Sequence, residues 1–464
     1  MISPIDGELT ELLGLGDRIL RMARERGGPR LVAECVLRSG AELSARVRKG
    51  DPELIEEAGT RAAGLRVIQD RRVASTSTSD LTDAGIDRFV ADAIELVALS
   101  QEDPFAGPAD ERLLCDPAAA PDLALYDPAG GSVDAGRAVA VAREAEAAAL
   151  SFDPRITNSE GATFSRTAGG VAMVLSSGFR AAYAGSYQSL SVVPVAADEG
   201  GKNRRGYHWT ARRHLADLDP PAEVGREAAR RTLRKLGART VATCEVPVVF
   251  DPDAARSILG LLAGCVLGSA IWRKASYLVG REGSRVASDL VSVVDDPLVR
   301  AAPGSRPYDG EGLASRKNVV VEKGVLRTFL CDSYSARKLG RESTASASRG
   351  GGAGVGPGTS NFILQPGTDS NAAIVKATRR GLYVTEMMGF GFNAVTGDFS
   401  RGAAGFWIED GEFAYPVSEV TISLNVDELW RRVDAVGDDL DMRTATASPT
   451  IRVAKMTVAG GVAK

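Results

Sequence analysis

Apolar positions recur at helical spacing through the first twenty-five residues, and then the pattern switches to period two. RLVAECVLRS and ELSARVRKG alternate polar and apolar positions and predict strands, and LRVIQDRRVASTSTS predicts a hairpin-like pair. Thr82 is placed to cap a helix through DAGIDRFVADAIELVAL. A Pro- and Ala-rich stretch from Asp103 to Gly131 predicts a long surface connection, and VDAGRAVAVAREAEAAALS a further helix. From Ile156 to His208 the chain reads as an antiparallel meander of short strands joined at Gly turns. DPPAEVGREAARRTLRKLG predicts a helix with Asp219 as N-cap, Pro220 at the first helical position and Gly237 as the stop.

The second half opens with a strand that runs into Asp251 as cap and Pro252 as first residue of a helix reaching Ile271. After Trp272 the pattern is mostly β, with Lys323-Gly324 and Asp410-Gly411 as hairpin turns. At 464 residues the chain exceeds what one core sustains. The expected fold class is α+β: an N-terminal α+β domain over 1–237 with an antiparallel sheet and helices, then a β-rich C-terminal domain over 238–464.

Charge removes one class of function. The formal net charge is -4, which gives no electrostatic reason to expect nucleic acid. The locally basic tract Arg204-Arg205 through Arg212-Arg213 reads as a solvated face. The N-terminus lacks a basic segment followed by an apolar one, so no signal peptide is expected. The longest uncharged apolar run, Ser257 to Trp272, is short of the ~20 residues that span a bilayer. Five scattered cysteines without a C-x-x-C pair predict reduced thiols and a cytoplasmic protein without a membrane span.

Candidate chemistry is sparse. The two histidines, His208 and His214, are six residues apart. On a helix their faces diverge, and on a strand they lie ~20 Å apart, so neither arrangement lets both reach one ion. Asp309 and Glu311 flank Gly310, a spacing that suits acid–base work or a hard cation but equally a solvated turn, which is the favoured reading. The tract from Arg349 to Asn361 is glycine-rich but matches neither phosphate-binding pattern, and a flexible or tightly turned loop is expected there. On the helix from Pro252, Gly260, Gly264 and Gly268 fall on one face. Each glycine costs ~1 kcal/mol there, so close approach by another backbone along that face is expected.

Several stretches carry a resemblance. STSTSDLTDAGI, DPRITNSEGATFSR, GSAIWRKASY, SRPYDGEGLASRKNVVVEKGVL, VTGDFSRGAAGFWIEDGEFAYPVSEVTIS and PTIRVAKMTVAG together resemble the TldD/PmbA family, and they span nearly the whole chain. The resemblance implies a metalloprotease-like C-terminal domain whose mixed sheet curls barrel-like with a buried helix. It also implies two branches. The TldD-like branch carries an H-E-x-x-x-H helix and a late cysteine that together hold a metal. In this chain Gly260 falls at the first His, Leu261 at the Glu and Cys265 at the second His, and DLDMRTATASPTIRV has no cysteine. The departure is that of the TldE/PmbA branch: no catalytic and no metal-binding residue of its own, zinc in a TldD-like partner, and unfolded or short peptides as substrate. A homodimer in the partner's absence is the other expected assembly. Two competing readings are a stand-alone protein modulating DNA gyrase, and a peptidase of different chemistry using Cys265 or the Asp309/Glu311 pair.

Overall fold

The computed structural model describes residues 4–350 and 353–461. Its N-terminal half runs α1 (Pro4–Gly27), β1 (Val32–Arg48), β2 (Asp51–Gln69), β3 (Arg72–Thr78), α2 (Asp83–Leu99), α3 (Pro128–Gly131), α4 (Ala135–Leu150), β4 (Ile156–Leu175), β5 (Arg180–Ala197), β6 (Asn203–Arg205), β7 (His208–Arg212) and α5 (Pro221–Leu233). The strands form one antiparallel sheet in the order β3-β2-β1-β4-β5-β6, with β7 also on β5.

Alternation along β1 shows how the helices are shared out. Cys35 and Leu37 pack beneath α1 and α2, whereas Leu43, Ala45 and Val47 pack beneath α4 and α5. All five are odd-numbered and therefore face one way, so two helix pairs lie side by side on one face of the sheet. The turn from β1 to β2 uses Lys49 and Gly50 at φ 53° and 85°, and buried Glu146 of α4 accepts both of their backbone N–H groups at 2.9 Å.

Several expectations need correction. RLVAECVLRS and ELSARVRKG are one continuous strand, and its partner β2 begins at Asp51, within a segment whose pattern had suggested nothing. The meander is antiparallel as expected, but its strands are not all short: β4 and β5 are 20 and 18 residues long, and short β6 follows on β5. Its glycines sit inside strands: a Cβ on Gly169 would lie 2.1 Å from the Ser39 carbonyl, so glycine admits the neighbouring backbone. The helix after it starts one residue late, at Pro221, with Pro220 as a cap that lends no side chain. Thr82 caps α2 as expected, accepting from Gly85 N.

The C-terminal half runs β8 (Cys244–Phe250), α6 (Pro252–Cys265), α7 (Gly268–Trp272), β9 (Val293–Asp295), β10 (Asn318–Glu322), β11 (Val325–Leu326), α8 (Ser333–Lys338), β12 (Ala347–Arg349), β13 (Val355–Pro357), β14 (Phe362–Leu364), α9 (Asn371–Lys376), β15 (Arg380–Met388), β16 (Asp398–Glu409), β17 (Glu412–Asn425), α10 (Val426–Arg431), β18 (Val433–Val436), β19 (Thr446–Ala447) and β20 (Ile451–Ala459). Strands β17-β16-β15-β8-β20 close on themselves through a β17–β20 pairing, which makes a five-stranded barrel. Only β8 and β15 run parallel in it. A smaller sheet, β11-β10-β9-β14-β19, stands beside it. Ile258, Leu259 and Leu262 of α6 are buried in the core that joins Phe250 and Leu382 of the barrel to Phe362 of the small sheet. Both expected hairpin turns are present, with positive φ at Lys323, Gly324, Asp410 and Gly411.

The segment from Asp103 to Gly131 is a seam rather than a surface connection. Cys115 N donates to the Gly312 carbonyl at 2.9 Å, and Cys115 packs with Val36, Phe179 and Tyr308 from both halves. Arg337 donates to the carbonyls of Phe105, Gly107 and Pro108. Arg213 is likewise not a solvated side chain: it donates to the Ala302 and Pro303 carbonyls at 2.9 and 2.8 Å. At the centre of the seam buried Glu34 pairs with Arg66 at 3.0 Å and with Arg349. Burial alone would raise the Glu34 carboxyl, but Arg66 and Arg349 hold it below the usual range.

Candidate functional site

Asp251 caps α6 by accepting the Ala254 N–H at 2.8 Å, and Pro252 supplies the first helical residue, as the sequence predicts. The helix does not reach Ile271. It ends at Cys265, because Leu267 pairs with Leu330 in a short strand-like bridge: Leu330 N donates to Val266 O and Gly268 N to Leu330 O. The glycine expectation fails with it. Gly268 alone is closely approached, where a Cβ would lie 2.7 Å from Cys331 Sγ. Gly260 and Gly264 are exposed, with nothing within 4 Å of an added Cβ.

The three positions that the resemblance aligns with a metal site differ sharply. Gly260 presents bare backbone, Leu261 is half-buried, and Cys265 is buried, where burial pushes its thiol up to about 11. Among the described residues no group of three or more His, Cys, Asp or Glu is placed to hold a metal ion. His208 lies on β7, and burial first, then Arg231 and Arg443, push it down to about 4. His214 Nε2 lies 2.9 Å from the Ala124 carbonyl, an ordinary hydrogen-bonded histidine. In the glycine-rich tract Arg349 of β12 pairs with Val355 of β13 in an antiparallel ladder, and Gly351 and Gly352 lie outside the described residues.

A cavity of about 390 Å³ opens at the N-terminus of α6, between α5 and the barrel rim. Asp251, Asp253, Tyr207, Tyr383, Glu386 and Arg443 are among its walls. A second opening of about 450 Å³ shares Tyr207, Asp253, Thr385 and Glu386 and continues past Ser257 to Met387 and Met388. Positions 253, 257, 260 and 264 share one helix face. The open strip of α6 thus prolongs the groove. Asp253 is its electrostatic hub, with Arg256 at 3.2 Å, Arg443 at 3.6 Å and Arg231 at 3.7 Å.

Asp309 and Glu311 are not in a solvated turn. Both are buried in the seam. Asp309 accepts N–H groups of Glu311, Leu313 and Ala347, and Glu311 accepts that of Ser333 with one oxygen while the other has no partner. Burial, then Asp309 and Asp332, push the Glu311 carboxyl up to about 7. The pair is structural, not an open acid–base site. A folded-state value above the unfolded one contributes stability that is full below about pH 4 and is lost as pH rises through about 7. Glu311→Gln is therefore expected to stabilise the chain at pH 8 by on the order of 2 kcal/mol relative to its effect at pH 5. Urea melts at the two pH values test this; equal effects would refute it.

Residues 33–97, 128–236 and 243–460 match, in turn, domain 1, the central domain and the C-terminal domain of the PmbA/TldA metallopeptidases. The chain belongs to the PmbA/TldD family. Metalloprotease PmbA of Escherichia coli O157:H7 is 37% identical over 428 residues, 92% of each chain. A crystal structure described as a modulator of DNA gyrase, from Bacteroides thetaiotaomicron VPI-5482, matches with TM-score 0.89 and 26% identity, covering 99% of this chain and 100% of that one. TldE from Thermococcus kodakarensis shares the fold, with TM-score 0.85 at 20% identity over 96% of this chain and 100% of its own. Among the described residues no helix is long and apolar enough to cross a membrane.

Within this PmbA/TldD fold, sequence reasoning found α6 but not the cavity at its head. Asp251 was legible as a cap, and nothing local marked Tyr383 or Glu386 as its neighbours. The parallel pairing of β8 with β15 brings them there, and that contact spans more than a hundred residues of sequence.

Proposed function

We propose that this chain is the non-catalytic, TldE/PmbA-like subunit of a heterodimeric TldD/TldE-type zinc metalloprotease that processes or degrades unfolded and short peptides. The observation that carries this is the bare strip of α6. Where the catalytic branch needs imidazoles and a carboxylate to hold a metal and shuttle a proton, this chain offers Gly260, half-buried Leu261 and buried Cys265. The strip is open and continues a groove, which suits a wall of a shared cleft. The partner supplies zinc, its ligands and the general base.

The test is co-expression with a TldD-like chain carrying H-E-x-x-x-H, followed by size-exclusion chromatography and a peptidase assay on complex and separate chains. A stable complex with metal-dependent cleavage supports the reading. Chelator-sensitive turnover by this chain alone, free of partner by mass spectrometry, refutes it.

Gly264→Leu separates wall from core. In the isolated chain it is expected to leave stability intact or raise it by ~1 kcal/mol, because a helical glycine is replaced at a position facing open space. In the complex the same side chain projects into the cleft and should slow cleavage. A fall in the melting temperature of the isolated chain would show that this face packs internally.

A further inference from the structure

One guanidinium at the cavity has no anionic partner. Arg234, just past the end of α5, lies over the Phe406 ring at 4.4 Å from its centroid and over Phe413 at 5.3 Å, and it makes no ion pair or side-chain hydrogen bond among the described residues. The cations beside it are engaged: Lys235 with Glu386, Arg231 with Glu227, and Arg443 with Asp441. A flat guanidinium held on aromatic rings keeps its N–H edge for a planar oxyanion, and two parallel hydrogen bonds to a carboxylate match it best.

The complementary lack is a carboxylate without a cation. Asp251 uses one oxygen for the Ala254 N–H and forms no ion pair among the described residues. Burial, opposed by that hydrogen bond and reinforced by Asp253, pushes its carboxyl up to about 7. The charges that act on it are Asp253 on α6, Arg231 on α5 and Glu386 on β15. Tyr383 lines the same cavity as these two unfilled groups. Its phenol feels Asp251 and Arg234 together, its oxygen accepts from Asn371 Nδ2 at 2.7 Å, and its ring meets Phe413 edge-on at 5.0 Å. The cavity lies at the carboxyl ends of β8 and β15, the parallel pair, which is where ligands settle on parallel strands.

We propose that this cavity binds a short zwitterionic peptide, its terminal carboxylate on Arg234, its terminal ammonium at Asp251, and its side chains against Tyr383, Phe406 and Phe413. A volume of about 390 Å³ is that of a small-molecule site. At ~3.3–3.6 Å per residue, a peptide of two or three residues is the length that places both ends within it. The inference rests on the reading of this chain as a peptide-handling subunit, and it adds a seat for free peptide ends distinct from the bare strip of α6.

Isothermal titration of the isolated chain with trialanine tests it. Binding is expected for trialanine and is expected to fall at least tenfold for its C-terminally amidated and N-acetylated forms. Arg234→Met, which keeps an apolar stem over the rings, should lose the preference for a free carboxylate. Asp251→Asn preserves the helix cap and should lose the preference for a free ammonium. Because an ammonium ionises Asp251, binding near pH 7 should release protons, read from the enthalpy in two buffers, and Asp251→Asn should abolish the release. Absence of binding at millimolar trialanine, or binding indifferent to blocked ends, overturns the proposal. If trialanine fails to bind while the complex with a TldD-like partner cleaves peptides, this inference falls alone. If it binds and no complex cleaves, the proteolytic reading falls alone.

Discussion

Replacing the glutamate of the TldD-like partner's H-E-x-x-x-H should cut peptide cleavage by the complex roughly 10²–10⁴-fold, the usual worth of a general base, while leaving the complex assembled. Cys265→Ala in this chain should leave cleavage nearly unchanged. The asymmetry follows from α6. A thiol becomes a nucleophile or metal ligand as the thiolate, and burial holds Cys265 protonated up to about pH 11. Its backbone carbonyl accepts from Ser276 Oγ at 2.8 Å, which ties the end of the helix to the following loop and gives the residue a structural role. The measurement is turnover of a labelled peptide by three complexes: unmodified, partner variant and Cys265→Ala. Loss of cleavage in Cys265→Ala, with the complex intact by size-exclusion chromatography, would mean that this chain contributes chemistry.

The largest stability effect is expected at Glu34. Its carboxylate is the shared counter-ion of two buried arginines, Arg66 and Arg349, brought from opposite halves of the chain. Glu34→Ala strands both guanidinium groups away from water. Removing one member of a buried ion group costs ~3–5 kcal/mol, because the remaining charges lose compensation but keep their desolvation. Equilibrium denaturation in urea should show the midpoint falling accordingly. Arg349→Met together with Glu34→Met, which removes charge of both signs, should recover part of the loss. A change below ~1 kcal/mol for Glu34→Ala would mean that water reaches the seam.

What could be read in advance follows from the range of the forces. Caps and tight turns are decided within a few residues, and Thr82, Asp251, Lys323-Gly324 and Asp410-Gly411 all stand where the sequence puts them. The resemblance-bearing motifs led to the family and to the α+β fold with a curled mixed sheet. Long-range contacts were not legible. Gly169 looks like a turn until Ser39 O is known to lie against it. Asp309 and Glu311 look solvated until Ala347, Ser333 and Asp332 close over them. Cys115 looks like a linker residue until Gly312 meets it. The end of α6 escaped for the same reason: Leu330, remote in sequence, draws Leu267 out of the helix.

The seam also bears on inheritance. Glu34, Arg66 and Arg349 form a single electrical unit divided between the two ends of the gene product, and Tyr308 from the second half stacks edge-on against Phe179 from the first at 5.0 Å. A crossover with a relative that carries other residues at these positions would part the Glu34 charge from its counter-ions. A change of charge at position 34 is therefore expected to cost stability unless 66 and 349 change with it.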